Sequence, residues 1–124
     1  MCIRDRCIHD GLAITPWSPL ARGFLAGNRH KKGGGDTARS KNDSLADSYY
    51  YTNEDFKTLD ILVRIAKEIN RQPVEVALSW LCSRPGITCP IIGPGTKKQL
   101  KGLVNSLSLG LTEKQILILN QFLY

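Results

Sequence analysis

The run Trp-Ser-Pro-Leu-Ala-Arg-Gly at positions 17–23 combines an aromatic ring, a hydroxyl group and a proline turn. A tryptophan at the carboxyl end of a strand can offer a flat face to another aromatic ring. Ser18 supplies a hydroxyl, and the backbone after Pro19 can present N–H groups to a phosphate. A core tryptophan followed by an ordinary turn would give the same pattern, so these residues alone leave both interpretations open.

A second run that could bind phosphate is Gly-Pro-Gly-Thr-Lys-Lys-Gln at positions 93–99. It predicts a glycine turn that leads into a helix N-terminus, where free N–H groups and the helix dipole attract anions. Lys97 and Lys98 would add positive charge. The spacing matches neither the P-loop GxxxxGK(S/T) nor the Rossmann GxGxxG pattern. An ordinary connection between a strand and a helix is therefore the alternative.

Each run follows a segment that predicts a short strand. Residues 12–17 end at a tryptophan that we expect to be buried, and residues 87–92 form a short apolar stretch. Strands that alternate with helices predict parallel βα units. In a (β/α)8 barrel the ligand site lies at the carboxyl ends of the strands, and its phosphate site often comes from the last two loops. The two runs therefore support each other.

Helical periodicity and capping residues predict four helices after residue 51. Thr52 with Asp55 is a variant of the capping box, Thr112 with Gln115 forms another capping box, and Thr96 can cap a helix between these two. Pro73 suits the first turn of another helix, which Pro85-Gly86 would end. The apolar positions at helical spacing are Phe56, Leu59, Leu62, Val63, Ala66 and Ile69; Val74, Ala77, Leu78 and Leu81; Leu100, Leu103, Val104 and Leu107; and Ile116, Leu119 and Leu123.

Two stretches show no sustained period. Residues 18–51 predict a long loop, and ordered loops of this length are usually lids or binding loops. Residues 1–10 make an atypical start, since residues 1–6 follow neither a helical nor a strand pattern.

The composition fits a globular chain of 124 residues, 42% hydrophobic and 23% charged. A complete (β/α)8 barrel needs about 250 residues. The net charge of +6 suits a nucleic acid, an anionic membrane or a phosphorylated small molecule, and a solvated basic face without a ligand is the alternative. Residues 29–32 and the lysines at 97, 98 and 101 carry much of this charge. The sequence has no motif for DNA or RNA binding, and aromatic residues do not interleave with the basic runs.

The cysteine spacing fits no zinc pattern, so no metal site is predicted. Cys82 and Cys89 lie in apolar surroundings, as expected of reduced cysteines in an intracellular protein. No apolar run approaches the roughly 18 residues of a membrane span, and the N-terminus lacks the pattern of a signal peptide. We therefore expect a cytoplasmic protein.

Several segments together resemble the aldo-keto reductase family, in particular its bacterial branch that is similar to aryl-alcohol dehydrogenases. The resemblance covers residues 7–124 and implies an α/β chain, the C-terminal fragment of a (β/α)8 TIM barrel. Residues 1–124 would then be a partial reductase domain with strands seven and eight, their helices and the C-terminal helix. The matching segments are strand seven with its loop at 11–27, the lid loop at 36–39, an outer helix at 74–81, strand eight at 85–93, and Gln99-Leu100 of the next helix.

The resemblance implies NADP(H) as the cofactor, with NADH as an alternative. Trp17 would stack on the nicotinamide ring, and residues that follow it in the sequence would hold the rest of the dinucleotide. The pyrophosphate and ribose would be lined by Ser18, Pro19, Leu20 and Gly23. Arg39, on the lid, would close over the cofactor. The adenosine 2′-phosphate would be surrounded by Gly93, Pro94, Gly95, Thr96 and Gln99.

The sequence departs from the family at several of these positions. Many members have Arg or Lys where this chain has Gly95 and Thr96, and a lysine in place of Asn28. Gly102 and Leu103 replace an acidic residue and an asparagine that face the adenine. These departures weaken the preference for NADPH, although Lys97 and Lys98 could compensate.

The resemblance implies an oxidoreductase that reduces small-molecule aldehydes or ketones. The family's catalytic Asp, Tyr, Lys and His lie in the first half of the barrel, and no matching motif occurs here. His9 and the tyrosines at 49–51 stand in other contexts. We therefore predict no catalytic residue and an inactive isolated chain. One alternative is a non-catalytic nucleotide-binding or regulatory protein of the same fold, as in potassium-channel β-subunits. A further alternative is a small basic nucleic-acid binder.

Overall fold

A computed structural model describes residues 2–29 and 40–123, and this part of the chain is mainly helical. Three 3-10 segments cover Ala21–Ala26, Ser40–Asn42 and Ser106–Ser108. The α-helices are α1 (Ile3–His9), α2 (Ser44–Tyr49), α3 (Asn53–Glu68), α4 (Pro73–Cys82), α5 (Lys97–Asn105) and α6 (Glu113–Asn120).

The starts of α3 and α6 confirm the two predicted capping boxes, and α5 begins after the predicted cap Thr96 with a capping box of its own. Thr52, Thr96 and Thr112 each accept a hydrogen bond from the N–H three residues later, and the side chain there bonds back to the cap. Pro73 occupies the first turn of α4, as predicted. Because a cap satisfies N–H groups that the helix cannot, each box fixes where its helix begins.

The core is built around α3, which packs against α4, α6 and the segment 21–26. Leu62 is fully buried, and Phe24 from the segment 21–26 enters the same cluster. Phe24 contacts the rings of Tyr50, Tyr51 and Phe56 with centroid distances of 5.2–6.2 Å. These ring contacts hold the segment that carries the first candidate run against α3. The other buried members of the core are Leu59, Ile65, Ala66, Val76, Ala77 and Leu119.

The two predicted strands pair in parallel, as expected, but form isolated bridges rather than regular strands within the described residues. The bridges join Ile14 to Ile87 and Trp17 to Ile91. Proline interrupts both segments, at Pro16 and at position 90, and each proline lacks the N–H that a continuous ladder requires. Two paired segments also fall short of the three or more strands that a stable sheet needs.

The structure corrects the predictions for the two stretches without a period. Residues 3–9 form α1, none of whose residues is buried, so no apolar pattern marks it in the sequence. The segment 18–51 also holds α2 and short 3-10 turns. The boundaries of α4 differ too, because the helix ends at Cys82, before the predicted Pro85-Gly86.

The apolar stripe of α5 is only partly buried. Leu103 is buried, whereas Leu100, Val104 and Leu107 are exposed in this structure. In α6, Leu119 is buried, and the other two predicted positions are half-buried. Helical spacing therefore identified the faces of both helices, but it overestimated how much of each face is covered.

Among the helices in the described part of the chain, none has the length and apolar character needed to span a membrane.

Candidate functional site

The two candidate runs meet in a single cleft of about 790 Å³. The bridge between Trp17 and Ile91 brings them together, and the Ile91 N–H donates to the Pro16 carbonyl over 2.9 Å. Ten of the eleven residues predicted to bind the cofactor line this cleft. Arg39, the eleventh, lies outside the described residues. The ten are Trp17, Ser18, Pro19, Leu20, Gly23, Gly93, Pro94, Gly95, Thr96 and Gln99.

Trp17 is exposed, so the expectation of a buried tryptophan is wrong. Its side chain lines the cleft, and the residue is 73% exposed. Its backbone bridge to Ile91 fixes the residue at the junction of the two segments. An exposed aromatic ring at the wall of a cleft is available to stack on a planar ligand.

The turn after Trp17 is wound tightly. Ser18, Ala21 and Arg22 adopt positive φ angles of 52°, 48° and 55°, which L-residues rarely populate. The N–H groups of Ala21 and Arg22 bond to the carbonyl and the hydroxyl of Ser18, and that of Gly23 bonds to the Leu20 carbonyl. These three N–H groups are used within the turn, so they are not the backbone donors that we expected to face a phosphate.

The turn before α5 forms the opposite wall. The Gln99 side-chain oxygen accepts hydrogen bonds from the N–H groups of Gly95 and Thr96 over 2.8 and 3.2 Å. No described residue accepts a hydrogen bond from the N–H of Lys97 or Lys98, the first two residues of α5. These two donors and the lysine at 98, which lines the cleft, give this wall a positive character.

Arg22, which lines the cleft, and Asp43 form a mostly buried ion pair. The Arg22 Nε donates to both carboxylate oxygens over 2.9 Å, and Asp43 also accepts from the Ala46 N–H at the start of α2. Burial alone would raise the pKa of Asp43, but these hydrogen bonds and the charges of Arg22 and Arg29 hold the pKa below its usual value. The carboxylate therefore stays ionised and neutralises Arg22.

Arg29 is a second buried arginine at the cleft. It is 7% exposed and lines the cleft, and its Nη2 donates to the Arg22 carbonyl. None of the described residues accepts a hydrogen bond from its Nε or Nη1. The approach to Gly23 is close, because a Cβ at that glycine would lie 3.3 Å from Arg29 Nη2. The sequence marked Arg29 only as part of a basic cluster.

Other lining residues could not be identified from the sequence as contributors. Gln72 and Val74 come from the start of α4, whose position next to the cleft is a result of tertiary packing. Asn28 and Gly102 were recognised only as departures from a family pattern, and Leu103 as such a departure and as an apolar helix position. No aspartate or glutamate is among the described residues of the lining, which includes Arg29 and Lys98 as well as Arg22, the arginine that Asp43 neutralises. The lining is therefore electropositive.

Comparison with known proteins agrees with the resemblance. The model of the aldo/keto reductase family matches residues 2–123. An uncharacterized oxidoreductase, YrpG of Bacillus subtilis (strain 168), is 34% identical over 110 residues, which is 89% of this chain and 32% of that protein. The versiconal hemiacetal acetate reductase of Aspergillus parasiticus is 28% identical over 118 residues, 93% of this chain and 33% of its own length.

A third relative is the NADP(+) aryl-alcohol dehydrogenase of Phanerodontia chrysosporium, 26% identical over 118 residues, 92% of this chain and 30% of its own. The chain thus spans about a third of the length of these relatives.

The chain belongs to the aldo-keto reductase family. The family consists of oxidoreductases with the (β/α)8 fold, and its members generally bind nicotinamide cofactors.

Proposed function

We propose that the cleft binds NADP(H) and that the chain is the cofactor-binding part of a cytoplasmic reductase of aldehydes or ketones. The observation that carries this proposal is the meeting of both predicted runs in one electropositive cleft. A dinucleotide needs a flat surface for a ring and cations or N–H groups for its phosphates. Trp17 offers the first, and Arg29, Lys98 and the start of α5 offer the second.

The residues present fit such a ligand. The cleft volume of about 790 Å³ lies within the range of about 300–1,000 Å³ that is usual for small-molecule sites. Asn28 Oδ1 and two nitrogens of Arg29 are buried without a hydrogen-bond partner among the described residues, and both residues line the cleft. A polar ligand would satisfy these atoms, whose burial is otherwise costly.

In this proposal each wall has a separate task. Trp17 orients the nicotinamide ring by stacking, and Ser18 donates its hydroxyl proton to a ribose or phosphate oxygen. The α5 N-terminus holds the 2′-phosphate through the N–H groups of Lys97 and Lys98. The bound nicotinamide supplies a hydride.

We further propose that residues 14–17 and 87–91 correspond to strands seven and eight of the barrel. Leu12, two residues before the bridge at Ile14, and Ile91, a member of the second bridge, are exposed. Exposed apolar residues next to unpaired strand edges are what a barrel would cover with its other strands. The helices α3 and α4 lie between the two segments in the sequence, and such an alternation of strands and helices is typical of neighbouring βα units.

Trp17→Ala tests the cofactor proposal. The variant is expected to weaken NADP⁺ binding by about 1–3 kcal/mol, roughly fivefold to a hundredfold, because stacking of a base on an aromatic ring contributes that much. Isothermal titration calorimetry on the folded 124-residue chain measures the dissociation constant. Leu12→Ala is the matched control, since Leu12 is 59% exposed on the same segment and lies outside the cleft. Failure of the wild-type chain to bind NADP⁺, or equal affinity in Trp17→Ala, would contradict the proposal.

We also expect the isolated chain to lack reductase activity, since none of the family's catalytic motifs matches its sequence. The assay measures aldehyde-dependent oxidation of NADPH by the purified chain, followed by the absorbance of the reduced nicotinamide. Turnover above a protein-free control would refute this expectation. NADP⁺ binding without turnover is also the behaviour expected of a non-catalytic nucleotide-binding protein of this fold. The presence of the catalytic half of the barrel would distinguish an enzyme from such a protein.

A further inference from the structure

We infer that Arg29 binds the diphosphate of a dinucleotide in the cleft, through its Nε and Nη1. The inference rests on the proposed function, because it assigns a ligand group to a residue of the same site. It starts from a buried side chain with two nitrogens, Nε and Nη1, for which the described residues supply no acceptor. Arg29 is 7% exposed, yet only its Nη2 donates to an acceptor in the described residues, the Arg22 carbonyl.

A buried guanidinium with two unused donors is unfavourable unless a partner is supplied. Arginine cannot lose its proton at ordinary pH, so burial does not remove the charge. A planar fork with adjacent N–H groups matches two oxygens of a phosphate, which makes diphosphate a suitable partner. The position of Arg29 in the cleft lining places this fork where a ligand can reach it.

The neighbouring Arg22, in contrast, already has an anionic partner. The Nε of Arg22 donates to both oxygens of Asp43, whose side chain is 3% exposed. Asp43 also interacts electrostatically with Arg29, but its hydrogen bonds go to Arg22 and to the Ala46 N–H. The carboxylate therefore neutralises one arginine and leaves the other with capacity for an anion.

The choice of diphosphate over the 2′-phosphate follows from the location of Arg29. Its Nη2 lies against Gly23, in the turn that follows Trp17. The N–H groups of Ala21, Arg22 and Gly23 are occupied within that turn, so a side chain must supply positive charge there. The 2′-phosphate would lie at the opposite wall, beside α5 and Lys98.

The test compares Arg29→Met with Arg64→Met, which removes the same charge from an exposed position on α3. Dissociation constants for NADP⁺, NAD⁺ and inorganic pyrophosphate are measured by calorimetry on each chain. We expect Arg29→Met to raise all three by about tenfold to a hundredfold, the range for a charged hydrogen bond, and Arg64→Met to change them less than twofold.

Several outcomes separate this inference from the proposed function. NADP⁺ binding that Arg29→Met leaves unchanged overturns the role of Arg29 while the proposed function stands. Loss confined to NADP⁺, with NAD⁺ and pyrophosphate unchanged, overturns the diphosphate assignment in favour of the 2′-phosphate. Arg29-dependent binding of pyrophosphate by a chain that does not bind NADP⁺ supports the anion site and contradicts the proposed function.

A second variant covers the case in which Arg29→Met does not fold, as judged by circular dichroism. Arg29→Lys keeps the charge but replaces the planar fork by a single ammonium group. We expect it to raise the pyrophosphate dissociation constant by at least about threefold, which is less than the effect of Arg29→Met, because the ammonium group keeps the charge but not the paired N–H groups. An unchanged constant in a folded Arg29→Lys chain overturns the inference.

Discussion

Asp43→Asn is expected to lower the free energy of unfolding by about 3 kcal/mol, because it leaves a mostly buried guanidinium without its carboxylate. Asp43 and Arg22 have side chains that are 3% and 17% exposed, and no other described residue accepts from Arg22 Nε. Asparagine still caps a helix, so the variant isolates the charge from the start of α2. Urea denaturation followed by circular dichroism measures the change.

The matched control is Asp60→Asn, an equal change of charge at an exposed position of α3. We expect it to shift the free energy of unfolding by less than about 0.5 kcal/mol. A similar loss in both variants would mean that net charge, rather than the buried ion pair, is responsible.

The same ion pair predicts how stability depends on pH. Burial raises the pKa of Asp43, but the Arg22 hydrogen bonds outweigh it and hold the folded-state pKa below its usual range. The pair therefore stabilises the fold fully above the unfolded-state pKa of about 4, and this contribution is lost as the pH falls through the lower folded value. We expect the urea midpoint of the wild-type chain to fall more steeply than that of Asp43→Asn below about pH 4.

Leu62→Ala is expected to lower the free energy of unfolding by about 2–5 kcal/mol. Leu62 is fully buried on the face of α3 that packs against α4 and α6. Its truncation removes apolar contacts and leaves a cavity that the surrounding helices cannot entirely fill. Urea denaturation at pH 7 gives the difference from the wild-type chain.

Leu107→Ala makes the same chemical change where the side chain is 72% exposed. It should shift the free energy of unfolding by less than about 0.5 kcal/mol. Comparable losses in the two variants would place the core elsewhere than around α3.

The helices could be predicted because their signals are local. Thr52 and Asp55 lie within one turn of each other, and so do Thr112 and Gln115 of the other predicted capping box. The site residues also followed local patterns, since the glycine turn and the Trp-Ser-Pro run are each continuous in sequence. Both runs indeed line one cleft.

The features that the sequence did not predict depend on distant partners. The exposure of Trp17 depends on what packs over it, and the ion pair of Arg22 with Asp43 joins residues 21 positions apart. Arg29 is buried, and its Nη2 donates to the Arg22 carbonyl, seven positions away. A cluster of basic residues in a sequence does not indicate which side chain is buried, so the run at 29–32 could not predict the burial of Arg29.

The hydrogen bond from the Ile14 N–H to the Thr88 hydroxyl spans 74 positions of the chain. Closing a loop of that size costs chain entropy before any contact at the bridge offsets it. The helices α3 and α4, which are neighbours in sequence, can form and pack without that closure. We therefore expect the cleft to assemble late in folding, after α3 and α4, which lie between its two walls along the chain.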